Sequence, residues 1–264
     1  MAQDASLEQP GSPEAARDRT EALVRELRRG VYAAIFRRRD IRNFRPDPVP
    51  DEILGRILLA AHHAPSVGFT QPWSFVIVRD LEPRRAVKQA FEQARAQNAA
   101  LFSGVRRDKF LALKLEGILE APVNLIVTCE LGRFGTAVLG KPGSEPVEIY
   151  STCLAVENLW LAARAEGLGV GWVSIISNDA LRSIFSIPPH VLPLAYLCVG
   201  YAEQFPTRPT LEETGWAPRL ALEQLLHFDS WSASGDERAR RLARLAREPR
   251  SWGGIFPADR MPEF

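Results

Sequence analysis

The stretch Glu148–Arg164, EIYSTCLAVENLWLAAR, decides the fold. At 3.6 residues per turn, Ile149, Tyr150, Leu154, Val156, Leu159, Trp160 and Leu161 leave no wide polar face, so the helix must be covered on every side. Such a helix belongs at the centre of a subunit or in an interface between subunits. Gly167 stands where a left-handed cap would end it. Upstream, Val123–Cys129 is nearly all apolar and β-branched, the pattern of a strand buried on both faces, and the glycine- and proline-rich run 131–147 is a loop. Downstream, Val170–Ile175 and Leu194–Tyr201 read as strands separated by a short helix, Asp179–Phe185.

Toward the N-terminus, the stripe Val24, Leu27, Val31 and Ile35 predicts a helix from Glu21 to Arg37. A second helix follows in PDPVPDEILGRILLAAHHAP, with Asp51 and Glu52 at its positive end and Pro65 closing it. Phe75–Val78 reads as a strand, and 82–101 and 109–120 as helices. Residues 1–19 are polar and expected to form a disordered tail, 20–231 the domain, and 232–264 an extension in which RARRLARLAREPRSW is a short amphipathic helix. This order gives an α+β class, a mixed central sheet flanked by helices. No GxGxxG follows a strand and the chain opens on helices, which argues against a Rossmann arrangement.

The 264 residues are 46% hydrophobic and 25% charged, with net charge +1, enough for one sizeable core and without an electrostatic case for nucleic acid or an anionic membrane as partner. The N-terminus lacks a signal-peptide pattern, and no apolar run approaches the roughly 20 residues that span a bilayer, so a cytoplasmic location is expected. Cys129, Cys153 and Cys198 form no CxxC and read as small buried hydrophobes. His62 and His63 are neighbours on a helix, pointing about 100° apart, and no metal site is expected.

Three clusters carry chemistry. Arg37-Arg38-Arg39-Asp40-Ile41-Arg42 gathers guanidiniums, which grip phosphate with paired hydrogen bonds, around one carboxylate. Ala64-Pro65-Ser66-Val67-Gly68-Phe69-Thr70-Gln71-Pro72-Trp73 is fixed by proline at each end, open to close approach at Gly68, and offers Ser66 and Gln71 to a heteroaromatic edge. Gly167-Leu168-Gly169-Val170-Gly171-Trp172-Val173-Ser174 leads three glycines into a strand ending at a hydroxyl. Taken singly, each has a plain reading: a surface charge run, a helix-to-strand loop, a structural turn.

Together, RRRDIRNF, AAHHAPSVGFTQPW, LKLEGILEAP, YSTCLAVENLWLAARAEGLGVGWVSI and AYLCVGY resemble the nitroreductase-like flavoproteins from about Glu21 to Trp231, and within them the 5,6-dimethylbenzimidazole synthase family. Asp40 stands where generic nitroreductases carry Ser, and Gly68-Phe69 where they carry a residue followed by Asn. Thr70, where many synthases carry Met, is a small departure. The resemblance implies an intertwined homodimer that fragments reduced FMN with O2 to 5,6-dimethylbenzimidazole and D-erythrose 4-phosphate, fed with FMNH2 by a separate NAD(P)H-dependent flavin reductase. It also implies the roles. Arg37, Arg38 and Arg39, with Arg219, hold the phosphate and ribityl region, and Arg42 lies near N1 and C2=O. Pro65, Ser66, Gln71, Val173 and Ser174 line the ring, with Ser174 steering a late oxidation or a ring hydrogen bond. Gly68 admits O2 beside the ring, and Asp40, held ionised by the arginines, takes the ribityl proton. Residues 95–111 would form a lid. The alternatives are an NAD(P)H-dependent nitroreductase or flavin reductase, and a non-catalytic flavin-binding protein.

Overall fold

The computed structural model describes residues 13–135, 138–140, 145–231, 235–248 and 252, so residues 1–12 of the tail expected at 1–19 lie outside the described residues. The chain divides into two compact units, Arg37–Arg219 and a second that takes in the chain up to Phe36 and from Leu220.

In the second unit, α1 (Pro13–Arg37) starts well before Glu21, where the apolar stripe begins. Pro13 suits a first helical turn, and PEAARDRTEA is mostly strong helix formers, so residues 13–19 are helical rather than the disordered tail expected there. Tyr32 and Phe36 stack, and Trp252 packs edge-on against both at 5.1 and 5.4 Å. The boundaries expected at 19/20 and 231/232 both fall in this unit.

In Arg37–Arg219, α2 (Asp51–His62) leads to β1 (Trp73–Val78), α3 (Leu81–Ala99) and α4 (Gly104–Ala112). Next come β2 (Val123–Glu130), α5 (Val147–Ala165), β3 (Leu168–Trp172), α6 (Asn178–Phe185) and β4 (Val191–Tyr201). The strands form one sheet in the order β1-β2-β4-β3, every pair antiparallel. Its parallel component is an isolated bridge between Asp40 and Val170. β2 is near-uniformly apolar because both its faces are buried. Leu125 and Val127 pack with Leu54, Ile57 and Ala61 of α2 and Ala155 and Leu159 of α5. Ile126 points the other way, toward Val87 and Phe91 of α3 and Leu181 of α6.

The helix expected over 109–120 ends at Ala112. Leu113–Ala121 is irregular because other groups take its backbone. Arg84, buried, donates to the carbonyls of Ile118 and Leu119 (2.7–3.0 Å) and of Ala121, and Glu116 accepts the Ile118 N–H at 2.7 Å. Gly117 lies so close to Phe44 and the Arg42 carbonyl that a Cβ would come within 2.6–2.8 Å. The same run therefore buttresses the chain segment that follows the arginine cluster. The amphipathic helix expected in the extension is α7 (Glu237–Arg247), in the second unit, with Asp236 accepting the Ala239 N–H at 2.8 Å as its cap.

Candidate functional site

The glycines of GLGVGW bring the arginine segment onto the sheet. Asp40 forms its bridge to Val170, and Ile41 donates its N–H to the Val170 carbonyl at 3.0 Å. A Cβ on Gly171 would come within 2.0 Å of the Ile41 carbonyl oxygen and 2.9 Å of Arg42 Nη1. Only a bare backbone allows this approach. The consequence is a small constellation at the end of β3. Asp40 Oδ1 accepts the Trp172 N–H at 2.9 Å and Oδ2 accepts from Arg42 Nη2, which also donates to the Trp172 carbonyl at 2.7 Å. Arg42 Nη1 is buried and has no hydrogen-bond acceptor among the described residues.

Asp40 keeps 45% of its side chain open to solvent against 15% for Arg42, so the carboxyl is half-open and the guanidinium more deeply set. Desolvation raises the Asp40 carboxyl above its ordinary value and outweighs the opposing pulls of Arg42, the Trp172 N–H and Arg38. Arg42 and Arg38 thus favour the ionised form, while desolvation works against it. A carboxyl of raised pKa is also the stronger base once ionised.

Val173 is buried, its N–H donated to the Tyr196 carbonyl at 2.8 Å, and Ser174 is exposed beyond it. β3 ends at Trp172 rather than Ile175 because the chain must leave the sheet to reach Ser177, whose hydroxyl accepts the Ala180 N–H and caps α6.

The other arginines gather at the C-terminal end of α5. The Arg38 guanidinium lies 4.8 Å over the Trp160 ring, with Nε 3.6 Å from Glu157. Trp160 Nε1 donates to the Arg39 carbonyl at 3.3 Å, and Arg39 donates to the carbonyls of Arg38 and Thr207. Arg164 donates to the Arg37 carbonyl at 3.2 Å and stacks 3.9 Å over Phe205. Burial, then repulsion from Arg219 and Arg38, pulls the Arg39 guanidinium below its ordinary value, with Glu213 opposing. Crowded positive charge of this kind is relieved by an anion. Sequence reasoning missed Glu157, Trp160 and Arg164 here. Their i, i+3, i+7 spacing was the available signal, hidden in a helix read only for its apolar residues.

The loop Pro65–Trp73 sits at the other end of α5. Ser151 Oγ accepts the Val67 N–H at 3.2 Å, whereas Trp160 meets the arginines. At 1.5 Å per residue these positions are about 13.5 Å apart along the helix. Pro65 is exposed, and Gly68, Phe69 and Gln71 all have positive φ (59°, 56° and 45°). Ser66 Oγ accepts the Gln71 N–H at 3.0 Å, and Gln71 Nε2 donates to the Phe69 carbonyl at 3.0 Å. A Cβ on Gly68 would meet Val138 Cγ1 at 2.5 Å and the Leu139 carbonyl oxygen at 2.9 Å. Phe69 is 76% exposed. A cavity of about 550 Å³ opens behind this loop, lined in part by Leu59, His62, Gln71, Trp73 and Phe134.

The residues expected in one pocket thus form two groups, one at each end of α5. Between them α5 presents an outer face with Tyr150 (55% exposed), Cys153 and Leu154. Cys153 is exposed, which corrects the expectation that all three cysteines are buried: it shares this outer face, whereas Cys129 and Cys198 lie inside the sheet. Burial pushes the Cys198 thiol up to about 12. Among the described residues no group of three His, Cys, Asp or Glu side chains could hold a metal ion, and no helix is long and apolar enough to cross a membrane.

Residues 35–201 match the nitroreductase family, and the chain belongs to it. Its relatives are more particular. A Rhodospirillum rubrum protein named 5,6-dimethylbenzimidazole synthase is 40% identical over 193 residues, 73% of this chain and 92% of its own. A Rhodobacter capsulatus protein of the same name is 37% identical over 187 residues, 70% of this chain and 90% of its own. Among solved structures, oxidized iodotyrosine deiodinase bound to FMN and 3-iodo-L-tyrosine shares the fold, with TM-score 0.61 and 23% identity over 76% of this chain and 100% of that one.

Proposed function

We propose that this chain acts as a 5,6-dimethylbenzimidazole synthase, taking FMNH2 as substrate and using O2 to cleave it to 5,6-dimethylbenzimidazole and D-erythrose 4-phosphate, with the remaining pyrimidine-ring atoms leaving as a third, oxidised fragment. The observation that carries the reading is Asp40, a carboxyl of raised pKa set between Arg42 and the Trp172 N–H and still open on one side. A group so placed can accept a proton from a substrate carbon and return it. The kinship to relatives bearing the synthase name agrees with it.

The residues fit the ligand. The buried Arg42 Nη1 needs an acceptor, which the N1/C2=O edge of a flavin supplies. Arg37, Arg38 and Arg39, with Arg219, would take the phosphate and ribityl oxygens. Ser66 and Gln71 would take the pyrimidine edge, Pro65 and Val173 the ring faces, and Ser174 a late hydrogen bond. Gly68, without a side chain, would leave O2 access and present its N–H.

The two separated groups support a homodimer in which the outer face of α5 is covered by a second copy. A separate NAD(P)H-dependent flavin reductase would supply the electrons, in the cytoplasm, and residues 95–111 would close as a lid. The test is to add photoreduced FMN to the purified protein in air and identify products by mass spectrometry. Dimethylbenzimidazole is expected; FMN returned intact would favour a conventional nitroreductase or a passive flavin binder instead.

A further inference from the structure

Two non-glycine residues in the Pro65–Trp73 loop hold left-handed backbones, Phe69 and Gln71. Such conformations persist only where neighbours over-determine them. Ser66 fixes the Gln71 N–H, but that bond leaves the Gln71 carbonyl to be satisfied from outside the loop.

Arg133 does this. It stands in the turn after β2, where the Gly135 N–H donates to the Gly132 carbonyl at 2.8 Å. Its Nη1 donates to the Gln71 carbonyl and, at 3.1 Å, to the Trp73 carbonyl. Its Nη2 donates to Ser74 Oγ at 2.9 Å, and its Nε is anchored on Glu130 at 2.9 Å. Four of the five guanidinium N–H groups are thereby spent on one corner. Glu130 is itself locked to the loop's exit, its N–H donated to the Pro72 carbonyl at 2.8 Å. Farther along the same connection, Val138 and Leu139 lie against Gly68. The connection after β2 therefore grips the loop at both ends of its left-handed stretch.

We propose that Arg133 is the positioning residue of the site: it holds Gln71 and, through it, Gly68 and Phe69 in the conformation that meets the flavin ring. This rests on the flavin reading above. Arg133 need not touch the ligand, since its guanidinium is consumed by the protein. Its loss would leave flavin bound by the arginines at the far end of α5 while loosening what faces the ring. The reaction would then divide differently. More FMNH2 would pass two electrons and two protons to O2, leaving as intact FMN and H2O2, and less would be fragmented.

The experiment compares full-length wild type, Arg133→Met, Arg133→Lys and Glu130→Gln. Hydrogen exchange is followed in segments 65–73 and 38–44, and photoreduced FMN in air gives dimethylbenzimidazole and H2O2 per FMNH2 consumed. For Arg133→Met, exchange in 65–73 should rise about tenfold with 38–44 unchanged, as expected for losing a charge-assisted hydrogen bond. FMN affinity should stay within about threefold while product per FMNH2 falls by roughly tenfold and H2O2 rises. Arg133→Lys should recover part of both, and Glu130→Gln should shift both the same way but less, which keeps the test alive if the methionine variant does not fold. Unchanged exchange in 65–73, equal rises in both segments, or an unaltered division of products overturns the proposal. Were wild type to return only intact FMN, the synthase reading would fail, and the exchange comparison would still decide whether Arg133 positions the loop.

Discussion

The two ends of α5 do different physical work with different materials. At the C-terminal end, Arg38 on Trp160, Arg164 on Phe205 and Arg39 among Arg38 and Arg219 concentrate like charge. At the N-terminal end there is little charge to spend on a ligand. The loop offers backbone shape, with three left-handed residues clamped by Ser66, Ser151 and Arg133. On the proposed reading, affinity and chemistry are built separately on one helix: charge would take the phosphorylated end of the ligand, and a strained, over-determined backbone would meet its reacting end. Asp40 belongs to the charged end by position, with a carboxyl that desolvation raises above its ordinary value.

The sharpest way to break this comparison is Asp40→Asn. It should lower product by about 100-fold or more, the scale of a lost general base, while FMN affinity changes no more than about threefold. Wild-type yield from that variant removes Asp40 from the chemistry. Arg38→Ala should act in the opposite sense, weakening FMN about 10- to 100-fold, the worth of a charged hydrogen bond, with riboflavin binding nearly unaltered. Isothermal titration with both ligands checks it, and equal losses for the two would detach Arg38 from the phosphate.

Gly68→Ala tests the shaped end. Strain at positive φ and the clash with Val138 and Leu139 should cost about 1–3 kcal/mol of stability in denaturant unfolding, while phosphate-dependent affinity survives. Trp160→Leu should weaken FMN only a few-fold, for a cation–π contact of about 0.5–2 kcal/mol; no change would leave Arg38 needing no platform.

The smallest effect is on pH. Because the folded Asp40 carboxyl titrates above its ordinary 3.8, the folded state holds the proton more tightly, and stability falls as pH rises through the window between the two values. Its half-open position keeps this slight. Thermal melts across that window should show a slope in wild type that Asp40→Asn lacks.

Much of the architecture was legible. β2 announced itself because both its faces are buried, and α5 because its apolar residues leave no wide polar face. The arginine and Pro65–Trp73 motifs were legible as chemistry because unusual residue types cluster within a few positions. Arg133 was not, since its partners are some 60 residues upstream and a lone arginine in a glycine-rich loop has no local signature. Leu113–Ala121 misled for a related reason: its apolar spacing suits a helix, but Arg84 and Glu116 claim the backbone groups a helix would use. The separation of the expected pocket into two groups could not be read either, because spacing along a chain does not say which end of a helix each motif meets.

β3 is the outermost strand of its side of the sheet, and the segment carrying Asp40, bridged to Val170, shields part of its outer rim. Mutations that peel this segment away would bare backbone donors and acceptors to neighbouring molecules, so self-association should accompany loss of binding. A light-scattering measurement on weak binders would then separate a damaged rim from a merely altered side chain.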